Sequence, residues 1–123
     1  MPLVRKSKLR KLSPLTALKR KAWKIFSLFV RKRDKVCITC GSSNGLQAGH
    51  FVHGDNMDFV IENINAQCVR CNKWLHGNLG VYAIKIDEKY GLGTAKRLIA
   101  LGRVYRGYRR KDFEEIIELY GSK

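Results

Sequence analysis

Acidic residues are scarce in this chain of 123 residues, which contains 10 Asp and Glu but 25 Lys and Arg. The formal net charge of +15 and the sequence pI of about 10.1 argue against an acidic or neutral binding module and against a metabolic enzyme with a neutral surface. The partner expected for such a surface is a polyanion, with nucleic acid ranked ahead of an anionic membrane.

Long apolar runs are also missing. The longest one, residues 22–30, is interrupted by Lys24 and Ser27, so no segment approaches the roughly 20 apolar residues of a membrane-spanning helix. The N-terminus lacks the apolar segment and the cleavage pattern of a secretory signal. We therefore expect a cytoplasmic protein with reduced cysteines and no membrane partner. The apolar fraction of 45% still suffices for one modest core.

The positive charge is concentrated near the start of the chain. Residues 1–35 carry a net charge of +12 and the remainder only +3. Residues 1–12 offer little that could be buried, so we expect a flexible basic arm. Residues 13–35 predict a basic amphipathic helix, because Ser13 is a good N-cap and Pro14 suits the first helical position.

Basic side chains along this helix and farther on are candidates for contacts with phosphate. Arg20, Lys24 and Arg31 share one helical face, with almost no acids nearby to neutralise them. The complete set predicted to contact nucleic acid is Arg20, Lys24, Arg31, Arg33, Arg70 and Lys73. Two tyrosines in a later basic segment, Tyr105 and Tyr108, could stack on unpaired bases or simply pack between helices.

The middle of the chain differs from both ends. Residues 46–52 and 60–67 predict two short strands separated by a loop, and a helix is expected from about Cys68. Residues 79–123 then predict further helices. The expected fold class is α+β and mostly helical, with residues 13–123 forming a single domain whose core is residues 36–78.

All four cysteines lie in this middle part, as two Cys-x-x-Cys pairs. Their spacing, with 27 residues between the pairs, is typical of a zinc site in a reduced compartment. Two thiolates per turn supply the four ligands of one structural, tetrahedral Zn²⁺. The predicted ligands are Cys37, Cys40, Cys68 and Cys71.

Histidine and asparagine residues cluster within the same frame. Asn72 and His76 are four residues apart, so on a helix they share one face. Together with His50 at a strand end and Asn63 on the next strand, they could surround one divalent ion.

These motifs resemble the HNH endonucleases of the ββα-metal type, and most closely the NinG/Rap recombination endonucleases of lambdoid phages. The resemblance covers roughly residues 19–120. A more distant resemblance, limited to the zinc frame, is to endonuclease VII. The segments that carry the resemblance to the HNH and NinG/Rap endonucleases are Ala48-Gly49-His50-Phe51, Asn63, Gln67-Cys68-Val69-Arg70-Cys71-Asn72 and Leu75-His76-Gly77-Asn78.

The resemblance implies a zinc-stabilised ββα-metal core and hydrolysis of phosphodiester bonds in branched DNA, such as Holliday junctions and D-loops, inside a phage-infected bacterial cell. His50 would be the general base and Asn63 would hold the loop that orients it. Asn72 would bind a catalytic Mg²⁺ or Mn²⁺, with His76 and His50 as further candidate ligands. A homodimer would suit an enzyme that cuts two strands symmetrically.

One position departs from the family pattern. Many HNH enzymes have an Asp or His metal ligand directly before the base, and this chain has Gly49. Either Asp55, Asp58 or His53 replaces that ligand, or His50 is itself the ligand and another group is the base. Two other functions stay open: a zinc-stabilised DNA-binding protein without catalysis, and a sequence-specific phage HNH nuclease.

Overall fold

The computed structural model describes residues 13–104 and 106–122, so the predicted arm (residues 1–12) and Tyr105 lie outside the described residues. The described fold is mixed α+β and mostly helical, as predicted. Its elements are helix α1 (Pro14–Asp34), strand β1 (Leu46–His50), a 3-10 turn (Asp55–Met57), strand β2 (Ile64–Cys68), a π-helical turn (Arg70–Trp74) and helices α2 (Leu79–Tyr90), α3 (Thr94–Gly102) and α4 (Arg110–Gly121).

Helix α1 begins and ends at local signals. The Ser13 side-chain oxygen accepts a hydrogen bond from the Thr16 amide at 3.1 Å, and Pro14 occupies the first turn. After Asp34 the chain turns left-handed at Lys35 (φ 63°), which ends the helix. Residues at four-residue spacing form its buried stripe, namely Ala22, Phe26 and Val30.

The two strands form an antiparallel pair, with His50 opposite Ile64 and Leu46 opposite Cys68. Both are shorter than predicted, and β2 begins only after a turn that ends at Asn63. Every residue of β2 is buried, because α1 packs against the sheet and the Tyr82 hydroxyl of α2 reaches it, donating to the Gly49 carbonyl at 2.7 Å.

The prediction of a helix that begins near Cys68 and includes His76 is wrong, because the helical segment is shorter. Only the π-helical turn Arg70–Trp74 forms, closed by a bond from the Leu75 amide to the Arg70 carbonyl at 2.8 Å. His76 then adopts a left-handed conformation (φ 52°), and Gly77 follows at φ 91°. Asn72 and His76 therefore do not share a helix face.

Two apolar clusters lie on either side of the sheet region. One joins α1 to α4 through Phe26, Phe59 and Phe113. The other joins α2 and α3 to the 3-10 turn through Tyr82, Leu98 and Met57. In the described part of the chain, none of the helices combines the length and apolar character needed to cross a membrane.

Candidate metal and nucleic-acid site

The four cysteines come together as predicted. Their sulphur atoms all lie within 4.8 Å of one another, and of these residues only Cys40 is exposed. Four sulphurs about 2.3 Å from one zinc ion are roughly 3.8 Å apart, so the cluster fits a tetrahedral Zn²⁺. Within residues 13–104 and 106–122 it is the one group of three or more His, Cys, Asp or Glu side chains close enough to share an ion.

The cysteines of this cluster differ in how readily their thiols ionise. Burial alone would raise the pKa of Cys37, but hydrogen bonds from Thr39 and from backbone amides lower it to about 6. The Ser42 amide favours a Cys40 thiolate, yet burial and the neighbouring cysteines raise its pKa to about 12. A divalent cation removes this conflict, because it stabilises all four thiolates at once.

His50 lies at the end of β1 in a defined orientation. Its Nε2 atom is 3.0 Å from the Asp58 carboxylate. The Trp23 and His53 rings each stack with the imidazole, at centroid distances of 5.1 Å and interplanar angles of 21°. A neutral His50 that donates its Nε2 proton to Asp58 has its lone pair on Nδ1, so the ring can accept a proton there.

Asp58 is held as a carboxylate. Burial alone would raise its pKa, but hydrogen bonds and charges from His50 and Lys19 outweigh burial and lower the pKa below its ordinary value. The Lys19 ammonium is 3.3 Å from Asp58 and 3.6 Å from the exposed Asp55. Of the three groups proposed to compensate for Gly49, Asp58 is the one that hydrogen-bonds His50, while His53 stacks on its ring.

Close packing explains why position 49 is a glycine. A Cβ atom at this position would collide with the side-chain amide of Gln67. Gln67 is fully buried and donates to the Gly77 carbonyl at 2.8 Å. The space beside Gly49 is therefore filled by the Gln67 amide, and the carboxylate that contacts His50 belongs to Asp58.

Asn63 ties down the loop that follows His50. It is fully buried, and its side-chain amide donates to the carbonyls of Val52 at 2.9 Å and Met57 at 3.1 Å. Its side-chain oxygen accepts from the Val52 amide at 2.8 Å. This side chain thus closes the loop between His50 and Asp58, which is the position that an orienting role requires.

Asn72 and His76 occupy different environments. The Asn72 amide donates to Gln47 at 2.8 Å and borders a cleft of about 300 Å³ that Arg31 and Trp23 also line. His76 is exposed at the end of the π-helical turn. Among the hydrogen bonds of the described residues, none joins His50, Asn72 and His76 to one another, and their role as ligands of one ion stays a prediction.

The basic face of α1 borders both clefts. Arg20 and Lys19 line a cleft of about 440 Å³ that contains His50 and Asp58, and Arg31 lines the Asn72 cleft. Trp23 lines both clefts, and we call the two clefts together the α1 groove. Sequence reasoning missed Trp23 and Lys19, although their four-residue spacing placed them on one helical face.

The other predicted phosphate contacts divide into two groups. Lys24 is exposed on α1, and Arg70 and Lys73 are exposed on the π-helical turn. Arg33 faces inward, where its guanidinium donates to the Asp34 carboxylate and to the Ile64 carbonyl at 2.9 Å. We therefore remove Arg33 from the set of nucleic-acid contacts, because its donors already have partners inside the protein.

Comparisons with known proteins identify the family. A family model described as "Bacteriophage Lambda NinG protein" matches residues 3–123. Over 102 residues the chain is 32% identical to Protein ninG of Salmonella phage P22, covering 76% of this chain and 50% of that protein. Over 95 residues it is 34% identical to Protein ninG of Escherichia phage lambda, covering 70% and 47%.

The chain thus spans about half the length of these relatives. No solved structure matches it. The family match extends over the α1 groove and the four cysteines alike, and it shows that the chain belongs to the NinG family of bacteriophage proteins.

Proposed function

We propose that this protein is a metal-dependent DNA endonuclease of the HNH type that hydrolyses phosphodiester bonds in branched DNA. One observation carries the proposal: His50 is oriented by the Asp58 carboxylate beside a groove lined by the basic face of α1. A positioned base next to cationic side chains is the arrangement that hydrolysis of a polyanion requires.

The chain's own residues divide the work. His50 accepts a proton from the attacking water at Nδ1, the nitrogen left free by the hydrogen bond between Nε2 and Asp58. Asp58 orients the ring, and Arg20 and Arg31 bind the phosphates on either side. Mg²⁺ or Mn²⁺ would have donor atoms in Asp58 and Asn72, and would neutralise charge on the reacting phosphate.

The zinc site has a structural role in this proposal. Its four cysteines connect the turn after α1, the end of β2 and the π-helical turn. Binding of Zn²⁺ would therefore hold Asn72 and the two strands in place beside α1. We propose that the resulting unit is a ββα-metal core whose final helix is shortened to one turn.

The preference for branched DNA is supported by the family alone. The chain covers about half the length of the NinG relatives. The groove itself accounts for attraction to any nucleic acid. Selectivity therefore needs its own measurement.

The decisive experiment compares cleavage of a Holliday junction, a D-loop and a plain duplex in Mg²⁺ and in Mn²⁺. We expect cleavage of the branched substrates by the wild type and a loss of about 100- to 10,000-fold in His50→Ala. His76→Ala is the matched control, because it removes an exposed imidazole outside the groove, and it should retain cleavage. Zinc content should be unchanged in both variants.

Other results would favour different functions. Tight DNA binding without cleavage in either metal would favour a non-catalytic DNA-binding protein, a reading that the filled space at Gly49 supports. Cut sites determined by base sequence would indicate a sequence-specific nuclease. Equal cleavage of all three substrates would exclude selectivity for branches, and full activity of His50→Ala would exclude the base assignment.

A further inference from the structure

We propose that Trp74 is a stacking platform for an unpaired base, with Arg70 and Lys73 beside it to bind the flanking phosphates. The inference rests on the proposed function in assuming that DNA is the substrate. It goes further by assigning recognition of unpaired bases to one surface, the π-helical turn Arg70–Trp74.

Trp74 is unusual among the aromatic side chains. It is 76% exposed, whereas every other Phe, Tyr or Trp that the structure describes is buried or half-buried. It also takes part in none of the aromatic pairs of the described residues. A tryptophan left in water gives up the burial of a large apolar surface, so a binding partner is the physical reason to retain it there.

The turn that carries Trp74 is firmly held. Cys71 belongs to the four-cysteine cluster, and its carbonyl accepts a bond from the Gly77 amide at 2.8 Å. The Gln67 side chain binds the Gly77 carbonyl at 2.8 Å. The indole therefore projects from a fixed scaffold, and stacking on it does not require the turn to be ordered first.

The charge around Trp74 selects the partner. No Asp or Glu occurs in residues 63–86, and the π-helical turn itself carries Arg70 and Lys73. A polyanion complements this surface. A second copy of the chain would bring like charges together, so an interface between two copies is the less favourable occupant.

The position of the turn connects it with the α1 groove. Asn72, in the same turn, borders the Arg31 cleft, so DNA bound along α1 would lie beside the turn that carries Trp74. A base inside a duplex is covered on both faces by its neighbours, and a base at a branch or gap has a free face for an indole. Tyr108, a candidate from sequence, hydrogen-bonds Phe59 and Asn56 internally and leaves this role to Trp74.

The test measures binding without Mg²⁺ or Mn²⁺, so that no cleavage occurs. The probes are a fully paired duplex and the same duplex with a gap of unpaired thymines. We expect Trp74→Ala to weaken binding to the gapped DNA by about 5- to 150-fold and to leave duplex affinity within about twofold. Trp74→Phe should retain most of the affinity, because phenylalanine keeps a stacking face. Leu92→Ala, at a leucine that is 96% exposed, is the matched control.

The outcomes are separable from those of the cleavage experiment. Equal loss on both probes, or no loss on either, would overturn the stacking role. A shift from dimer to monomer in Trp74→Ala without a selective loss of gapped-DNA binding would show that a second copy covers this surface instead. A selective loss of gapped-DNA binding supports the stacking role of Trp74 even if the protein cuts no substrate. If the protein cleaves DNA but Trp74→Ala leaves binding unaltered, the stacking role is refuted and the proposed nuclease activity is not. Zinc content reports that each variant is folded.

Discussion

At the scale of single residues, the orientation of His50 is determined by side chains that are distant in sequence. Asp58 binds Nε2, and the Trp23 and His53 rings both stack with the imidazole. The ring therefore has one free nitrogen and little rotational freedom. A base held in this way loses less entropy in the reaction than one that must be oriented by the substrate.

Asp58→Asn should separate orientation from charge. We expect cleavage to fall by about 10- to 1,000-fold, because an amide does not hold the same imidazole tautomer as a carboxylate. DNA binding should be unchanged or slightly tighter, since a negative charge has left the groove. The measurement is single-turnover cleavage beside DNA affinity.

Asp55→Asn is the control for Asp58→Asn, because it makes the same charge change at an exposed carboxylate whose described contact is with Lys19. It should cleave like the wild type. Equal activity of the two variants would show that Asp58 does not orient His50.

Two buried asparagines, Asn63 and Asn65, show how far the environment of a polar side chain can be predicted from the sequence. Asn63 closes the loop after His50 through hydrogen bonds to Val52, and the orienting role that the family resemblance implies stays a prediction. Asn65 in β2 is fully buried and accepts hydrogen bonds from Lys89 and Tyr90, because α2 covers the strand there. Sequence spacing contains no information on that packing.

At the scale of elements, the end of α1 is joined to the sheet and to α2 by Asp34. Its side chain is 5% exposed and accepts from Arg33, from Lys89 at 2.9 Å and from the Ala66 amide at 2.8 Å. Burial alone would raise the pKa of Asp34, but these partners outweigh burial and lower it. The ionised group thus stabilises the fold.

Asp34→Asn should destabilise the protein by about 3 kcal/mol, because it leaves Arg33 and Lys89 partly buried without their counter-charge. The folded-state pKa of Asp34 is depressed, so its contribution is complete above the unfolded pKa of about 4 and is lost only as pH falls through the folded value. The difference in unfolding free energy between variant and wild type should therefore be equal at pH 7 and pH 5.5 in urea titrations.

Glu88→Gln, at an exposed pair with Lys85, should change stability by less than about 1 kcal/mol. A difference for Asp34→Asn as small as this one would contradict the anchoring role. A difference that already shrinks between pH 7 and pH 5.5 would contradict the depressed pKa.

Elements also differ in how well local signals predict them. The limits of α1 follow from Ser13, Pro14 and a four-residue apolar period, all of which are local. The π-helical turn does not follow from such signals, because Cys71 and Gly77 are bound by groups brought there by tertiary packing. Helix propensity alone therefore extended this segment too far, to His76.

At the scale of the whole molecule, zinc is expected to hold together parts of the chain that share little apolar surface. Binding of Zn²⁺ by a small four-cysteine site contributes on the order of 10–16 kcal/mol, which is comparable to the entire stability of a domain. Removal of the metal from the wild type with a chelator should abolish cooperative thermal unfolding, and added Zn²⁺ should restore it. An unchanged melting transition in the chelated protein would refute the structural role.

The charge distribution predicts how DNA binding depends on salt. The described surface contributes Arg20, Lys24, Arg31, Arg70 and Lys73, and residues 1–12 contain five further basic side chains. Ten phosphate contacts predict a slope of about −9 for log affinity against log salt. Lys24→Ala should reduce the magnitude of the slope by about 1, whereas Lys96→Ala on α3 should leave it unchanged. A DNA affinity that hardly changes with salt concentration would contradict a phosphate-binding role for the α1 groove.

The sequence by itself determined the features that depend on neighbours along the chain: the start of α1, the mixed fold class, the two cysteine pairs and the excess of basic residues in the first 35 positions. Helix caps, ligand spacing and charge are local properties, so they can be read before folding. Only the tertiary structure decided that Asp58 meets His50, that Arg33 turns inward and that Trp74 remains in water. Those outcomes depend on which surfaces pack across the molecule, and close packing, which the order of residues does not encode directly, selects them.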